Sequence, residues 1–254
     1  TSKPLQLLHL DLFGPTRIAS LWGKHYVFVI IDDYSRFTWV IFLAQKSDAF
    51  ENFQNFAKRV QNEKGCCISK IRSDHGKEFE NENFESFCLE HDISQNFSSP
   101  RIPQQNGVVE RKNRTLIEMA RTMLNEYDLP TYFWAEATNT ACYISNRVFK
   151  RPLLNKTSFE LWNGRKPLIS YFRVFGCKCF ILNTKDNFGK FASKSDECIF
   201  LGYSTTSKAY RVFNKRSLTV EESMHVVFNE SSNLDLVKGS VPDDVVGNKI
   251  GRAH

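Results

Sequence analysis

Residues 8–15 read LHLDLFGP, an apolar run that meets a Gly-Pro pair near the start of the chain. The whole apolar stretch from Leu5 to Phe13 predicts a β-strand that ends in a turn. Two more apolar runs follow, at Tyr26–Ile31 and Phe37–Leu43, and both are typical of buried strands. Because only short connections join the three runs, the sequence predicts an antiparallel meander.

Helices and strands then alternate. The predicted elements are a helix capped by Ser47 and running to about Asn62, a strand at Ile68–Ser73, a helix at Asn81–Glu90, a strand at Ile93–Phe97, and helices at Val108–Asn125 and Pro130–Asn146. The Pro-rich segment Ser98–Gly107 predicts a mobile loop. This order predicts an α/β domain over residues 1–146, in which helices flank a mixed five-stranded sheet.

The pattern changes near residue 171, after a connecting segment at 147–170. Short apolar runs separated by polar turns predict strands at Val174–Leu182, Glu197–Tyr203, Ala209–Asn214 and Met224–Phe228. Residues 171–230 are therefore predicted to form a small all-β module. Residues 231–254 are polar and are predicted to be a disordered tail.

Composition sets only broad limits on function. The net charge of +6 is compatible with a nucleic-acid partner, but on charge alone a solvated surface is the better explanation. The seven Cys include no CxxC pair with zinc spacing, which predicts reduced, mostly buried thiols in an intracellular protein. No apolar stretch is long enough to span a membrane, so no membrane partner is expected. The first residue, Thr1, suggests a piece of a longer product, although trimming gives the same start.

Three acids stand where rigid elements begin or end. Asp11 lies near the end of the first strand, Asp74 follows the fourth strand, and Glu110 lies in the first turn of a helix. Each acid alone is more typical of a turn or a helix start. Together they offer the few carboxylates with which Mg²⁺ binds while it keeps water and phosphate oxygens. Two such ions can promote an in-line displacement at phosphorus.

The sequence resembles the integrases of Ty1/copia-type retrotransposons over residues 5 to about 230. The motifs that carry the resemblance are LHLDLFGP at 8–15, IDDYSR at 31–36, RSDHGKEF at 72–79 and PQQNGVVERKNR at 103–114. The segments at 175–176, 200–203 and 208–211 resemble the SH3-like module that follows the catalytic core in this family.

This resemblance implies an RNase H-like fold with a D,D-35-E triad of Asp11, Asp74 and Glu110 that binds two Mg²⁺ or Mn²⁺ ions. It implies attack of a cDNA 3′ hydroxyl on target DNA, with double-stranded DNA and further copies of the chain as partners. It also implies that the protein acts in the nucleus, after particles have assembled in the cytoplasm. The family's zinc-binding module would precede residue 1, so no zinc site is expected here. His75 departs from the family pattern, which usually has Asn at this position. Metal binding by His75 stays open, but a solvent-facing or indirect role is favoured.

Basic residues near the acids are candidates for DNA contact. On a helical wheel Arg114 and Arg121 fall within about 40° of Glu110. A solvated face would explain these two arginines, but phosphate contact is favoured because the carboxylate triad needs DNA nearby. Arg111 and Lys112 lie beside Glu110 in the sequence, although Lys112 points to the opposite side of the helix.

In the β module, Lys208, Arg211 and Lys215 are also predicted to contact DNA, and a protein-interaction surface is nearly as well supported. Asp32 and Asp33 are interpreted as turn and folding residues. Three tryptophans are interpreted as core residues: Trp39, Trp134 and Trp162.

Two alternatives to the integrase remain open. An RNase H-like nuclease would cut DNA without joining it, and a catalytically inactive relic would only bind DNA. Joined products from DNA with a free 3′ end would separate the integrase from the nuclease. The presence of all three acids argues against the relic.

Overall fold

The computed structural model describes residues 1–98, 107–182 and 194–230. The mobile-loop prediction for residues 99–106 and the disorder prediction for 231–254 lie outside the described residues. The first sheet has the order β3-β2-β1-β4-β5. Strands β1, β2 and β3 pair antiparallel, and β1, β4 and β5 pair parallel. The strands are β1 Leu8–Phe13, β2 Tyr26–Asp32, β3 Thr38–Leu43, β4 Lys70–Ser73 and β5 Ser94–Phe97.

Helices cover both faces of this sheet. They are α1 Ala49–Lys64, α2 Glu82–Glu90, α3 Gly107–Glu126, α4 Trp134–Val148 and α5 Ser158–Asn163. Side chains alternate along β2, so Phe28 and Ile30 pack with α1 and α2 on one face, whereas Val27 and Val29 pack with α3 and α4 on the other. The predicted mixed sheet with flanking helices is confirmed.

The segment between core and module is more structured than the sequence indicated. It contains a two-stranded hairpin, β6 Lys150–Arg151 and β7 Lys156–Thr157, followed by α5. Trp162 of α5 is 4% exposed and packs edge-on against Trp39, which ties the segment to the α1 side of the core. With Trp134 also buried, the core interpretation of the three tryptophans is confirmed.

The second sheet is entirely antiparallel, in the order β11-β10-β9-β8-β12. Its strands are β8 Lys178–Leu182, β9 Ser195–Tyr203, β10 Tyr210–Asn214, β11 Thr219–Ser223 and β12 Val226–Asn229. The all-β prediction is confirmed. Strand β11 was not predicted because its sequence, TVEES, lacks the apolar alternation of a half-buried strand.

The β module packs directly on α4 of the core. The Thr140 hydroxyl donates a hydrogen bond to the Leu201 carbonyl at 2.8 Å, and Tyr143 stacks on Tyr203 with ring centroids 4.2 Å apart. Gly202 has φ +136°, and a β-carbon at this position would collide with Thr140. The core and the module therefore share an interface.

Two local features complete the fold. The prediction that Ser47 caps α1 is wrong, because a 3₁₀ turn at Lys46–Asp48 precedes the helix and Asp48 is its N-cap residue. Within the described part of the chain, no helix combines the length and the apolar character needed to cross a membrane.

Candidate active site

The site begins at the carboxyl end of the central strand β1, which carries Asp11. Strand β4 pairs with β1 in parallel, with Leu8 opposite Ile71 and His9 opposite Arg72. The same register, continued past the end of β4, aligns Asp74 with Asp11. Because neighbouring strands lie about 4.8 Å apart, the topology brings these two acids to one edge of the sheet.

Helix α3 supplies the third acid and a clamp for the first. The Asn113 amide nitrogen donates a short hydrogen bond to Asp11 Oδ2, and the Leu12 backbone N–H donates to Asp11 Oδ1 at 3.0 Å. Asn113 lies three residues after Glu110, so both project from neighbouring positions on the helix. Asn113 was not predicted as a site residue, although this spacing was a usable signal. Its side-chain oxygen is buried and has no hydrogen-bond partner among the described residues.

The surroundings of Asp11 make the ionised form of its carboxyl group unfavourable. Burial is the main cause that raises its pKa, from 3.8 to about 6, and the negative charges of Asp74, Glu110 and Glu78 raise it further. The Leu12 N–H acts in the opposite direction. Asp11 therefore interacts with each of the other two predicted acids through their charges, and ionised Asp11 would gain from a nearby cation.

The loop after β4 holds Asp74 and a fourth acid. The Gly76 N–H donates to Asp74 Oδ1 at 3.1 Å. A β-carbon on Gly76 would lie 2.7 Å from Glu78 Cδ, so glycine lets the Glu78 carboxylate approach the loop backbone. Glu78 is 9% exposed and pairs with Lys46 Nζ at 3.2 Å. Glu78 was not predicted as a site residue, although it lies only four residues after Asp74.

His75 points away from this acid pair. Its ring stacks on Phe97 at 5.0 Å, and its Nδ1 lies 3.1 Å from Glu80 Oε2. The side chain is 43% exposed, which agrees with the predicted solvent-facing position. These contacts account for His75 without a role as a metal ligand.

A cavity of about 390 Å³ opens in front of Asp11 and α3. Its lining residues are Asp11, Glu110, Asn113, Arg114, Ile117, Glu118 and Arg121. The helical-wheel prediction that Arg114 and Arg121 share the side of Glu110 is confirmed. Asp11, Glu110 and two guanidinium groups therefore face one space, which suits a phosphate group, whereas Asp74 is not among the lining residues.

The residues fit a divalent cation in two respects. Carboxylates whose negative charges repel one another favour a cation between them. The Asn113 side-chain oxygen, which has no hydrogen-bond partner among the described residues, lies beside Asp11. Among the described residues, however, no three His, Cys, Asp or Glu side chains are close enough to hold one ion. The arrangement is therefore an open set of candidate ligands.

Other predicted basic residues have different surroundings. Arg111 and Lys112 line a second cavity, which contains none of the three acids. Arg211 forms an ion pair at 3.0 Å with the buried Glu136, and Lys215 Nζ lies 2.6 Å from Glu197. Lys208 is exposed. DNA contact by these residues stays a prediction.

Asp32 and Asp33 have the folding role that was predicted. Buried Asp32 accepts hydrogen bonds from the backbone N–H groups of Leu5 and Ser35, each at 2.8 Å. Asp33 pairs with His9 at 2.9 Å and Arg36 at 3.2 Å, and these partners lower its pKa. Both acids therefore hold the β2–β3 turn against the start of the chain.

Comparisons with known families identify two domains. Residues 1–103 match the integrase core domain, and residues 177–242 match the retroviral polymerase SH3-like domain. The chain is 39% identical over 227 residues, 89% of its length, to the retrovirus-related Pol polyprotein from transposon TNT 1-94 of Nicotiana tabacum. It is 34% identical over 231 residues, 91% of its length, to the corresponding polyprotein from transposon RE2 of Arabidopsis thaliana. It spans 17% and 16% of these two relatives.

A solved structure supports the fold. The chain resembles a chain of the simian T-cell lymphotropic virus intasome in complex with PP2A regulatory subunit B56 gamma, with a TM-score of 0.52 and 16% identity. The similarity covers 87% of this chain and 77% of that one. At this identity the likeness concerns the fold alone.

Proposed function

Because the chain belongs to the copia-type retrotransposon integrases, we propose that it catalyses metal-dependent DNA strand transfer, inserting element cDNA into target DNA. The single observation that carries the proposal is the coupling of acids from three elements: after burial, the negative charges of Asp74 and Glu110 raise the pKa of Asp11 further. An acid cluster of this kind suits phosphoryl transfer because charge develops on oxygen atoms during the displacement.

The chain's own residues would hold and orient the reacting groups. Asp11, Asp74 and Glu110 would bind two Mg²⁺ or Mn²⁺ ions, and Asn113 would keep the Asp11 carboxylate oriented through its amide hydrogen bond. When bound, such ions activate the attacking oxygen and stabilise the leaving oxygen. The 3′ oxygen of the cDNA would form a bond to a target phosphorus while the target's own P–O3′ bond breaks.

Arg114 and Arg121 would position the DNA backbone. Both line the cavity that contains Asp11 and Glu110, so their guanidinium groups can bind phosphates beside the reacting one. Double-stranded DNA, as cDNA ends and as target, is the proposed substrate. We also propose that the chain acts as a homo-oligomer in the nucleus, as the family resemblance implies. The activities of the full polyproteins, of which the chain spans a sixth or so, are not attributed to it.

A strand-transfer assay tests this function. The 254-residue chain is incubated with the matching terminal DNA duplex, a target duplex and Mg²⁺, and products are separated by size. Joined products are expected, and their formation should stop when a chelator removes the metal. Cutting without joining would favour the nuclease, and DNA binding without any metal-dependent product would favour the relic.

A further inference from the structure

A second cavity, of about 660 Å³, lies on the other side of α3 from the acids. Helix α3 contributes Arg111 and Lys112 to its wall, whereas it contributes Glu110 and Arg114 to the cavity in front of Asp11. The remaining wall comes from the β2–β3 region and from the segment that follows α4. This place is separate from the proposed active site, and the strand-transfer function does not use it.

The wall of this cavity is strongly basic. Five of its residues are cationic, namely Arg36, Arg111, Lys112, Lys150 and Arg151, and none of the described residues that line it is an Asp or a Glu. Arg36 is paired with Asp33 at 3.2 Å, just outside the lining. Lys112 donates a hydrogen bond to the Ser145 hydroxyl at 2.9 Å, and this neutral partner leaves its positive charge in place.

The cationic side chains repel one another. Burial is the main cause that lowers the pKa of Arg36, and the charges of Arg151 and Arg111 lower it further, although Asp33 acts in the opposite direction. Burial also lowers the pKa of Lys112. A ligand with negative charge would relieve this repulsion, so the cavity favours an anion.

Large apolar side chains surround the same cavity. In the segment after α4, three apolar side chains are exposed: Phe149 by 49%, Leu153 by 88% and Leu154 by 41%. Phe149 and Leu153 line the cavity, together with Pro152. Exposed apolar side chains that cluster beside a polar rim mark a surface for a protein partner. A DNA duplex presents mainly phosphates to such a site, and its few apolar groups, the thymine methyls, lie in the major groove behind the phosphate backbone. A protein segment can present both kinds of group.

We propose that this cavity is a docking site for a partner-protein segment that carries both acidic and large apolar side chains. The acidic side chains would contact the basic wall, and an apolar side chain would cover Phe149 and Leu153. For Arg111 and Lys112 this proposal replaces the predicted DNA contact with contact to a protein segment, and binding of nucleic acid in this cavity is the competing outcome of the test.

Fluorescence anisotropy with labelled probes tests the proposal on the 254-residue chain. The probes are a peptide of alternating Glu and Leu, an equally charged peptide with Ser in place of Leu, a single-stranded oligonucleotide and a DNA duplex. The variant Lys150→Gln/Leu153→Ser changes two exposed residues of the cavity. The matched control, Lys58→Gln/Leu89→Ser, makes the same changes on exposed positions of α1 and α2.

The parent and the control should bind the Glu-Leu peptide more tightly than the Glu-Ser peptide. The cavity variant should bind the Glu-Leu peptide about tenfold more weakly, which corresponds to about 1.4 kcal/mol. Its affinity for both nucleic acids should equal that of the control, and its circular dichroism should match the parent. If it does not fold, Lys150→Ala and Leu153→Ala are measured singly. Equal peptide affinity in variant and parent, no peptide binding by the parent, or a loss confined to nucleic acid would overturn the proposal.

Discussion

At the scale of single residues, Asp11 connects burial with chemistry. Its carboxylate lies partly buried among other acids, and its pKa is about 6 in the folded chain against 3.8 for the free side chain. Folding therefore binds a proton to Asp11 more tightly, and the ionised form is the unfavourable one. A bound cation would remove this cost, so the same feature that weakens the metal-free fold would favour metal binding.

The substitution Asp11→Asn tests this cost. Because the folded pKa lies above the unfolded one, Asp11 costs little below about pH 4, and its cost grows as the pH rises to about 6 and persists above it. With a chelator present at pH 7, the variant should be more stable than the parent by on the order of 2 kcal/mol. The measurement is the free energy of unfolding in urea from pH 4 to pH 7.5.

A stability difference between the two proteins that is the same at every pH would contradict this account of Asp11. Mg²⁺ provides a second check. It should raise the melting temperature of the parent at pH 7 and have a smaller effect on Asp11→Asn, which lacks one of the proposed ligands.

At the scale of elements, the sequence predicted the parts whose signals are local. The apolar runs located β1, β2 and β3, and the helical wheel correctly put Arg114 and Arg121 beside Glu110. Ser47 was predicted wrongly as the cap of α1. A 3₁₀ turn precedes the helix, and the presence of a serine gives no indication of such a turn. Strand β11 was not predicted because its edge position needs no apolar alternation.

The β2–β3 turn gives a prediction about stability at this scale. Asp32→Ala removes the acceptor for the N–H groups of Leu5 and Ser35 and for the Ser35 hydroxyl, all in a buried place. The variant should lose about 2–4 kcal/mol of unfolding free energy, because buried donors would be left without partners. Chemical denaturation measures this loss. The exposed acid Glu51 of α1 provides a control, and Glu51→Ala should change stability by less than about 0.5 kcal/mol. A similarly small loss for Asp32→Ala would contradict the folding role.

At the scale of the whole molecule, the interface between core and module depends on contacts that the sequence does not reveal. Glu136 of α4 and Arg211 of β10 form a hydrogen bond at 3.2 Å and an ion pair at 3.0 Å across the interface between core and module, and Glu136 is 4% exposed. No local pattern links residues 75 positions apart, so Arg211 was assigned to DNA from its charge alone. Asn113 and Glu78 were missed for a related reason, since their importance follows from where Asp11 lies in the folded chain.

Two residues predicted to contact DNA differ in their surroundings, because Arg211 is paired with Glu136 at the interface whereas Lys208 is exposed. Arg211→Ala should destabilise the chain by about 1–3 kcal/mol, because it leaves the buried Glu136 without its cationic partner and with only the Trp22 indole N–H as a donor. Lys208→Ala should leave stability unchanged but flatten the salt dependence of DNA binding, because one fewer counterion is released. Thermal unfolding and DNA titrations at several salt concentrations measure the two effects. A stable Arg211→Ala protein, or an unchanged salt slope for Lys208→Ala, would contradict the corresponding assignment.

The central claim is that Glu110 acts with Asp11 and Asp74 in metal-dependent strand transfer, and Glu110→Gln tests it most directly. The amide keeps the size of the side chain but is a poor ligand for a hard cation, so the rate of joining in Mg²⁺ should fall about a hundredfold or more. Stability should change by only about 0.3–1 kcal/mol through the helix dipole. DNA affinity should persist, since Arg114 and Arg121 are intact. Glu118→Gln, on the wall of the same cavity, is the matched control and should join DNA like the parent. Joining by Glu110→Gln at the parental rate would contradict the three-carboxylate mechanism.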